Sequence, residues 1–125
     1  MVVTQYYKNL NYEVTLKFDY YYHASIEKHI KKATTRLDKP RNINVGDVIE
    51  CSYNAHNSEP FYIQITGINK VKFCDLTNYN ALLEGYLDVG LLKQVLKIFY
   101  PNITWDTILV QYLFNYLGKL NKGEI

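Results

Sequence analysis

Cysteine is scarce in this chain. The two present, Cys51 and Cys74, have neither Cys-x-x-Cys spacing nor the histidine partners of a zinc site. Both sit among apolar residues and read as buried thiols in a reducing compartment, so a disulfide framework is excluded and no metal is indicated. An excess of one charge is also missing. Fourteen Lys and Arg against twelve Asp and Glu leave a formal net charge of +2, too little to mark the whole chain as a nucleic-acid binder. No apolar run approaches the ~20 residues that cross a bilayer. The opening MVVTQYYKNL has no continuous apolar core of a signal peptide, so the expectation is a cytoplasmic protein with no membrane partner. Internal repeats and Gly, Pro or Ser-rich linkers are absent as well. The 125 residues are therefore read as one domain, large enough to bury a core without disulfides or metals, and monomeric by default.

What is present is ordinary in bulk and uneven in detail. The chain is 48% hydrophobic and 21% charged, the composition of a folded globular domain. Thirteen tyrosines, with Lys far in excess of Arg, are what an AT-rich bacterial coding sequence gives. The positive charge is concentrated: Lys28, Lys31, Lys32, Arg36, Lys39 and Arg41 are opposed only by Asp38. Such a patch attracts phosphate or another anion, although a solvated helix end and loop would look the same.

Periodicity gives the elements. From Glu13 to Tyr20, Val14, Leu16, Phe18 and Tyr20 alternate with polar residues, which predicts a half-buried strand. Tyr22, Ile26 and Ile30 then recur every four residues, which predicts a short amphipathic helix ending near Lys31 or Lys32. Strands follow over Thr34 to Leu37, Val48 to Tyr53 and Phe61 to Val71, the last with Gly67 as a bulge. Thr77 to Glu84 reads as one or two helical turns closed by Gly85. Asp88 caps a stronger helix whose stripe is Leu92, Val95, Leu96 and Phe99, and Pro101 stops it. The apolar run Ile108 to Leu117 reads as a central strand. The order predicts an α+β fold with a curved or closed, mainly antiparallel sheet of five to six strands and two to three helices.

The segment LKFDYYYHASIEKHIKKATTRLDKPRNINVGDVIE resembles the opening of the ASCH domain family. The shared features are a strand, a helix, then Lys31, Thr34, Arg36 and Gly46-Asp47 at fixed intervals, followed by Glu84-Gly85 and a helix ending in Tyr100-Pro101. The resemblance runs over about residues 14–117, which would be the domain core. Two positions depart from the family pattern at the rim of the implied site, where they bear on substrate choice. His29 stands where a small residue, often glycine, precedes the lysine by two, and Lys32 stands where threonine commonly follows it. The loop after Glu84 is also one residue longer than in compact bacterial members.

The resemblance implies a PUA-like β-barrel whose cleft holds RNA or a modified nucleoside. One small bacterial branch of the family consists of acetylcytidine amidohydrolases, whose lysine, threonine and glutamate fall on Lys31, Thr34 and Glu84. Hydrolysing an amide needs a nucleophile, a base and an acid for the leaving amine. One arrangement makes Thr34 the nucleophile, Lys31 its base and Glu84 the proton carrier, with Arg36 or backbone N–H groups at the oxyanion. A free lysine has a pKa of about 10.4, so its neutral form at pH 7 costs roughly 4.6 kcal/mol unless burial or neighbouring charge lowers that value. The other arrangement makes Glu84 the base for a water and Lys31 a cationic oxyanion holder.

Each of these residues also has a plain structural reading. Glu27 and Lys31 are spaced for a helical ion pair, Thr34 and Thr35 suit any strand, and Arg36 can pair with Asp38 or Asp47. Glu84 in a last helical turn opposes the helix dipole, a mild oddity. Tyr21, beside the basic helix, is the tyrosine nominated to stack on a base, with Lys28, Lys32 and Arg36 as ligand-binding residues. His23, His29 and His56 lack ligand spacing, and His56 is expected to face solvent. Two functions remain: an amidohydrolase acting through Lys31, Thr34 and Glu84, or a non-catalytic RNA-binding module using the Lys28 to Arg41 patch. Neither requires a metal or organic cofactor.

Overall fold

The computed structural model describes residues 8–55 and 57–119, so the expectation for His56 falls outside the described residues. Among these described residues five strands form one mixed sheet in the order β1-β3-β4-β5-β2. They are β1 (Leu10–Phe18), β2 (Ala33–Leu37), β3 (Val48–Tyr53), β4 (Phe61–Lys72) and β5 (Ile108–Lys119). Three helices accompany them: α1 (His23–Glu27), α2 (Asn78–Leu83) and α3 (Val89–Phe99). Three of the four pairings are antiparallel, and β1 runs parallel to β3.

The α+β class and the strand and helix numbers agree with expectation, but the closed barrel does not. β1 and β2 are the two edges of the sheet and share no ladder. In place of a ladder, the Arg36 guanidinium of β2 donates to the backbone carbonyl oxygen of Lys17 in β1 at 2.6 Å. A side chain thus bridges the seam that backbone pairing would have closed.

β1 starts earlier and ends earlier than its alternation predicts. Leu16 and Phe18 are buried and Val14 packs against them, but Tyr20 has left the strand. The Asp19 carboxylate accepts the Tyr21 N–H at 2.9 Å and turns the chain into a 3-10 turn over Tyr20–Tyr22. The helix that follows also ends sooner than its four-residue period implies. After Glu27 the Ile30 N–H donates to the Ser25 carbonyl and the His29 N–H to that of Ile26, with His29 at φ 60°. This is a Schellman turn, and His29 occupies the left-handed place that glycine usually fills. Ile30 is consequently half exposed, and Lys31 lies in an extended linker beyond the helix.

From Leu109 to Phe114 β5 is apolar except for Gln111, and both of its faces are covered there. Val110, Tyr112 and Phe114 enter the main core with Phe18, Ile49 and Ile63. Leu109, on the other face, joins Phe73, Leu92 and Leu96 beneath the helices. β4 and β5 slip register twice. Thr66 is the extra residue before Gly67, as expected, and Leu117 is the extra residue on β5.

The helices begin as their capping residues dictate. Thr77 and Asn80 form a reciprocal capping box for α2, and the Asp88 side chain accepts the Leu91 N–H at 3.0 Å to start α3. The buried stripe of α3 is narrower than predicted: Leu92 and Leu96 are core, Val95 is half-buried and Phe99 is exposed.

Candidate functional site

The seam between β1 and β2, roofed by α3 and the turn after α2, opens into a cleft of about 130 Å3. Its polar side carries Lys31, Thr34, Thr35, Arg36 and Glu84, while Leu92, Val95, Leu96 and Phe99 make an apolar wall.

Lys31 reaches this cleft because the linker after α1 is docked at two points. The Lys32 N–H donates to the Leu83 carbonyl at the end of α2, and the Lys32 carbonyl accepts from the Phe114 N–H of β5. Glu84 is brought opposite as the C-cap residue of α2. The turn that places it needs Gly85, which has φ 85° and whose added Cβ would lie 3.3 Å from the Ile30 side chain.

The two side chains form a buried ion pair, Lys31 Nζ to Glu84 Oε1 at 3.1 Å, with Lys31 4% and Glu84 6% exposed. The helical Glu27–Lys31 pair is therefore not what Lys31 makes. The second Glu84 oxygen, Oε2, accepts from the Thr35 hydroxyl and from Gln111 Nε2, the latter at 3.3 Å. Burial pushes the Lys31 pKa down, the Glu84 carboxylate pulls it back up and nearby Arg36 lowers it, and the outcome is a lowered value. Lys31 Nζ also lies 4.7 Å from the centre of the Tyr22 ring. The Tyr22 and Tyr86 hydroxyls meet at 2.5 Å beside it, and burial raises both phenol pKa values, so both remain protonated near neutrality.

Alternation along β2 separates the two threonines. Thr35 points to the helices and meets Glu84, whereas Thr34 shares the opposite face with Arg36, whose Nε donates to Thr34 Oγ1 at 3.3 Å. Both threonines are buried and both line the cleft. Arg36 stacks 5.1 Å from the Phe18 ring centre and pairs with neither Asp38 nor Asp47 in any described contact.

The remaining predicted residues lie elsewhere. Lys28, Lys32 and Tyr21 are exposed and outside the cleft lining, and Tyr21 packs edge-on against Tyr22. Arg41 turns inward, donating to the Leu37 carbonyl at 3.0 Å. Of the two thiols expected to be buried, Cys51 is, but Cys74 is exposed in the short turn after β4. Among the described residues no group of His, Cys, Asp and Glu could hold a metal ion, and no helix is long and apolar enough to cross a membrane.

The sequence reading missed Thr35, Gln111, Tyr22 and Tyr86 as cleft or network residues. Gln111 carried a signal: it is the one polar residue between Ile108 and Phe114, in a run otherwise suited to burial on both faces.

No family model and no curated protein matches the sequence. Solved structures do match the fold. The chain is similar to an ASCH domain from Lactobacillus crispatus, with TM-score 0.69 and 18% identity, over 93% of this chain and 91% of that one. It is similar to a mutant ASCH protein from Zymomonas mobilis, with TM-score 0.61 and 10% identity, over 88% and 76%. A protein from Enterococcus faecalis aligns with TM-score 0.61 and 16% identity, over 86% and 82%. The chain has the ASCH-domain fold.

Proposed function

We propose that this ASCH-fold protein binds a modified nucleoside in the β1–β2 cleft and hydrolyses the amide of acetylcytidine. The observation that carries the proposal is the buried Lys31–Glu84 pair, set in the same cleft as Thr34 and Arg36. Burying two charges costs several kcal/mol per ion, and well-packed apolar residues would usually do as well for stability. A pair retained at the polar side of an open cleft is better explained by proton transfer.

In this reading Thr34 Oγ attacks the acetyl carbonyl carbon and gives its proton to the amine form of Lys31. Burial moves Lys31 toward that form. The Arg36 Nε–H, already directed at Thr34 Oγ1, stabilises negative charge on that oxygen as the proton leaves. When the tetrahedral intermediate collapses, the C–N bond breaks and the proton passes through the Lys31–Glu84 pair to the exocyclic nitrogen, releasing cytidine. Water then attacks the acetyl-threonine ester, acetate leaves and Thr34 recovers its proton. The contact of Thr35 rather than Thr34 with Glu84 also accommodates the other arrangement, in which Glu84 activates water directly. Those two routes differ in whether Thr34→Val abolishes turnover. The apolar wall of α3 and the size of the cleft suit one ring and its substituent rather than a duplex.

The test is chromatographic: purified protein is incubated with acetylcytidine, and cytidine and acetate are measured. Equal release of both products, lost in Lys31→Ala and Glu84→Gln variants that remain folded, supports the proposal. A folded wild type that yields no cytidine, yet binds an RNA oligonucleotide with a steep salt dependence lost on replacing Lys28 and Lys32, overturns it in favour of a binding module.

A further inference from the structure

Gln111 is fully buried on an interior strand, where an unpaired amide would cost free energy and an apolar side chain would not. Its polar atoms are all engaged. Nε2 donates to the Asn80 backbone carbonyl at 3.1 Å and to Glu84 Oε2 at 3.3 Å, and Oε1 accepts from Asn80 Nδ2 at 2.8 Å. Asn80 is itself held, because it is the reciprocal partner of Thr77 in the α2 capping box. A rigid chain of contacts therefore runs from the start of α2, through the middle of β5, to one oxygen of the carboxylate at the end of α2.

Resting on the reading of the Lys31–Glu84 pair as the proton carrier, we propose that Gln111 is a positioning residue that fixes the Glu84 carboxylate. Together with Thr35 it occupies Oε2 and reserves Oε1 for Lys31. Without those two donors the carboxylate could rotate about its terminal bond and share both oxygens with Lys31, so the proton would no longer move along one defined axis. The sequence interval makes the arrangement specific. Gln111 lies on the Leu109 face of β5, opposite Thr35 in the β2–β5 register, and that pairing brings both donors to Oε2. Asparagine at this position would be one methylene too short to keep both contacts.

Two variants test this. Gln111→Met keeps volume and removes the amide, and Thr35→Val removes the other Oε2 donor without touching the Asn80–Gln111 contacts. The charged and titratable groups acting on the pair are the same in each: Tyr22 and Tyr86 beside Glu84, and Arg36 beside Lys31. The first readout is the Lys31 side-chain ammonium signal in nitrogen–proton NMR, which needs no substrate. The signal is expected to be sharp in the wild type and to shift or broaden in both variants. The second readout is kcat for acetylcytidine, expected to fall on the order of 10- to 100-fold with KM within about two-fold. An unchanged lysine signal with unchanged kcat, in variants that differ only in stability, overturns the positioning role. If the wild type has no turnover but the lysine signal responds in both variants, the positioning role stands and the proposed activity falls.

Discussion

The guanidinium of Arg36 spans the seam between the two sheet edges and donates to the carbonyl oxygen of Lys17 at 2.6 Å. One side chain thereby ties β2 to β1, holds Thr34 by its hydroxyl and lines the cleft. Arg36→Met keeps an apolar stem at this position and removes the guanidinium, with both its charge-assisted bonds and its stacking over the Phe18 ring. It is expected to cost roughly 1.5–3 kcal/mol, measured by urea denaturation. Amide exchange at the end of β1 should quicken in the same variant, whereas β4 and β5 should keep their protection. Arg36→Lys should behave like the methionine variant, because an ammonium cannot make both contacts in the guanidinium geometry.

The Tyr53 hydroxyl is buried and has no hydrogen-bond partner among the described residues, while its ring stacks on Phe61 with centres 4.5 Å apart. An unsatisfied buried hydroxyl costs about 1–3 kcal/mol. Tyr53→Phe keeps the stack and removes the cost, so it should raise stability by about 1 kcal/mol in equilibrium unfolding. A loss of stability would mean that the hydroxyl has a partner.

Tyr22, Tyr53, Tyr86 and Tyr116 all have pKa values raised above 10.0, each chiefly by burial. The unfolded chain releases these protons first as pH rises through about 10. Above that point the unfolded state binds fewer protons than the folded one, and stability falls with pH. Lys31 acts in the opposite sense. Its lowered pKa means that the unfolded lysine keeps its proton longer, so its burial becomes less costly as pH approaches 10.5. Urea midpoints from pH 8 to 11 should turn downward above about 10. The wild type should gain on Lys31→Met below that point.

His29 takes the left-handed position of the turn that ends α1, at φ 60°. Glycine adopts that conformation without the Cβ clash, so His29→Gly should stabilise the protein by about 0.5–1 kcal/mol after the extra freedom of the unfolded glycine is deducted. At Gly85 the signs reverse. Alanine there meets both φ 85° and the Ile30 side chain, and thermal unfolding should show a loss of more than about 1 kcal/mol.

These residues also mark what a linear reading of the chain can reach. The alternation of Val14, Leu16 and Phe18, the strand Val48 to Tyr53, the bulge before Gly67 and the Asp88 cap were legible because each follows from a local rule. The end of α1 was not, because Ile30 continues the helical period while the Schellman turn, closed by a histidine rather than a glycine, breaks it. The open seam was not legible either, since whether two edge strands pair depends on their distance in space. In the site, the resemblance to the ASCH family led to Lys31 and Glu84, which meet across fifty-three positions. Which threonine meets the carboxylate was decided by the facing of β2, a choice between two adjacent and chemically identical residues. Gln111 stood out as a polar residue in an apolar run, but its role was not legible because its partners Asn80 and Glu84 are far from it in sequence.

Turnover of acetylcytidine by wild type and Glu84→Gln, with binding followed in parallel by calorimetry, tests the central claim most directly. Glutamine keeps the size and most contacts of Glu84 but cannot carry the proton. The account predicts a folded variant that binds the nucleoside about as well as wild type and releases cytidine at least about 100-fold more slowly. Equal rates in the two proteins, or no cytidine from a folded wild type, would contradict it.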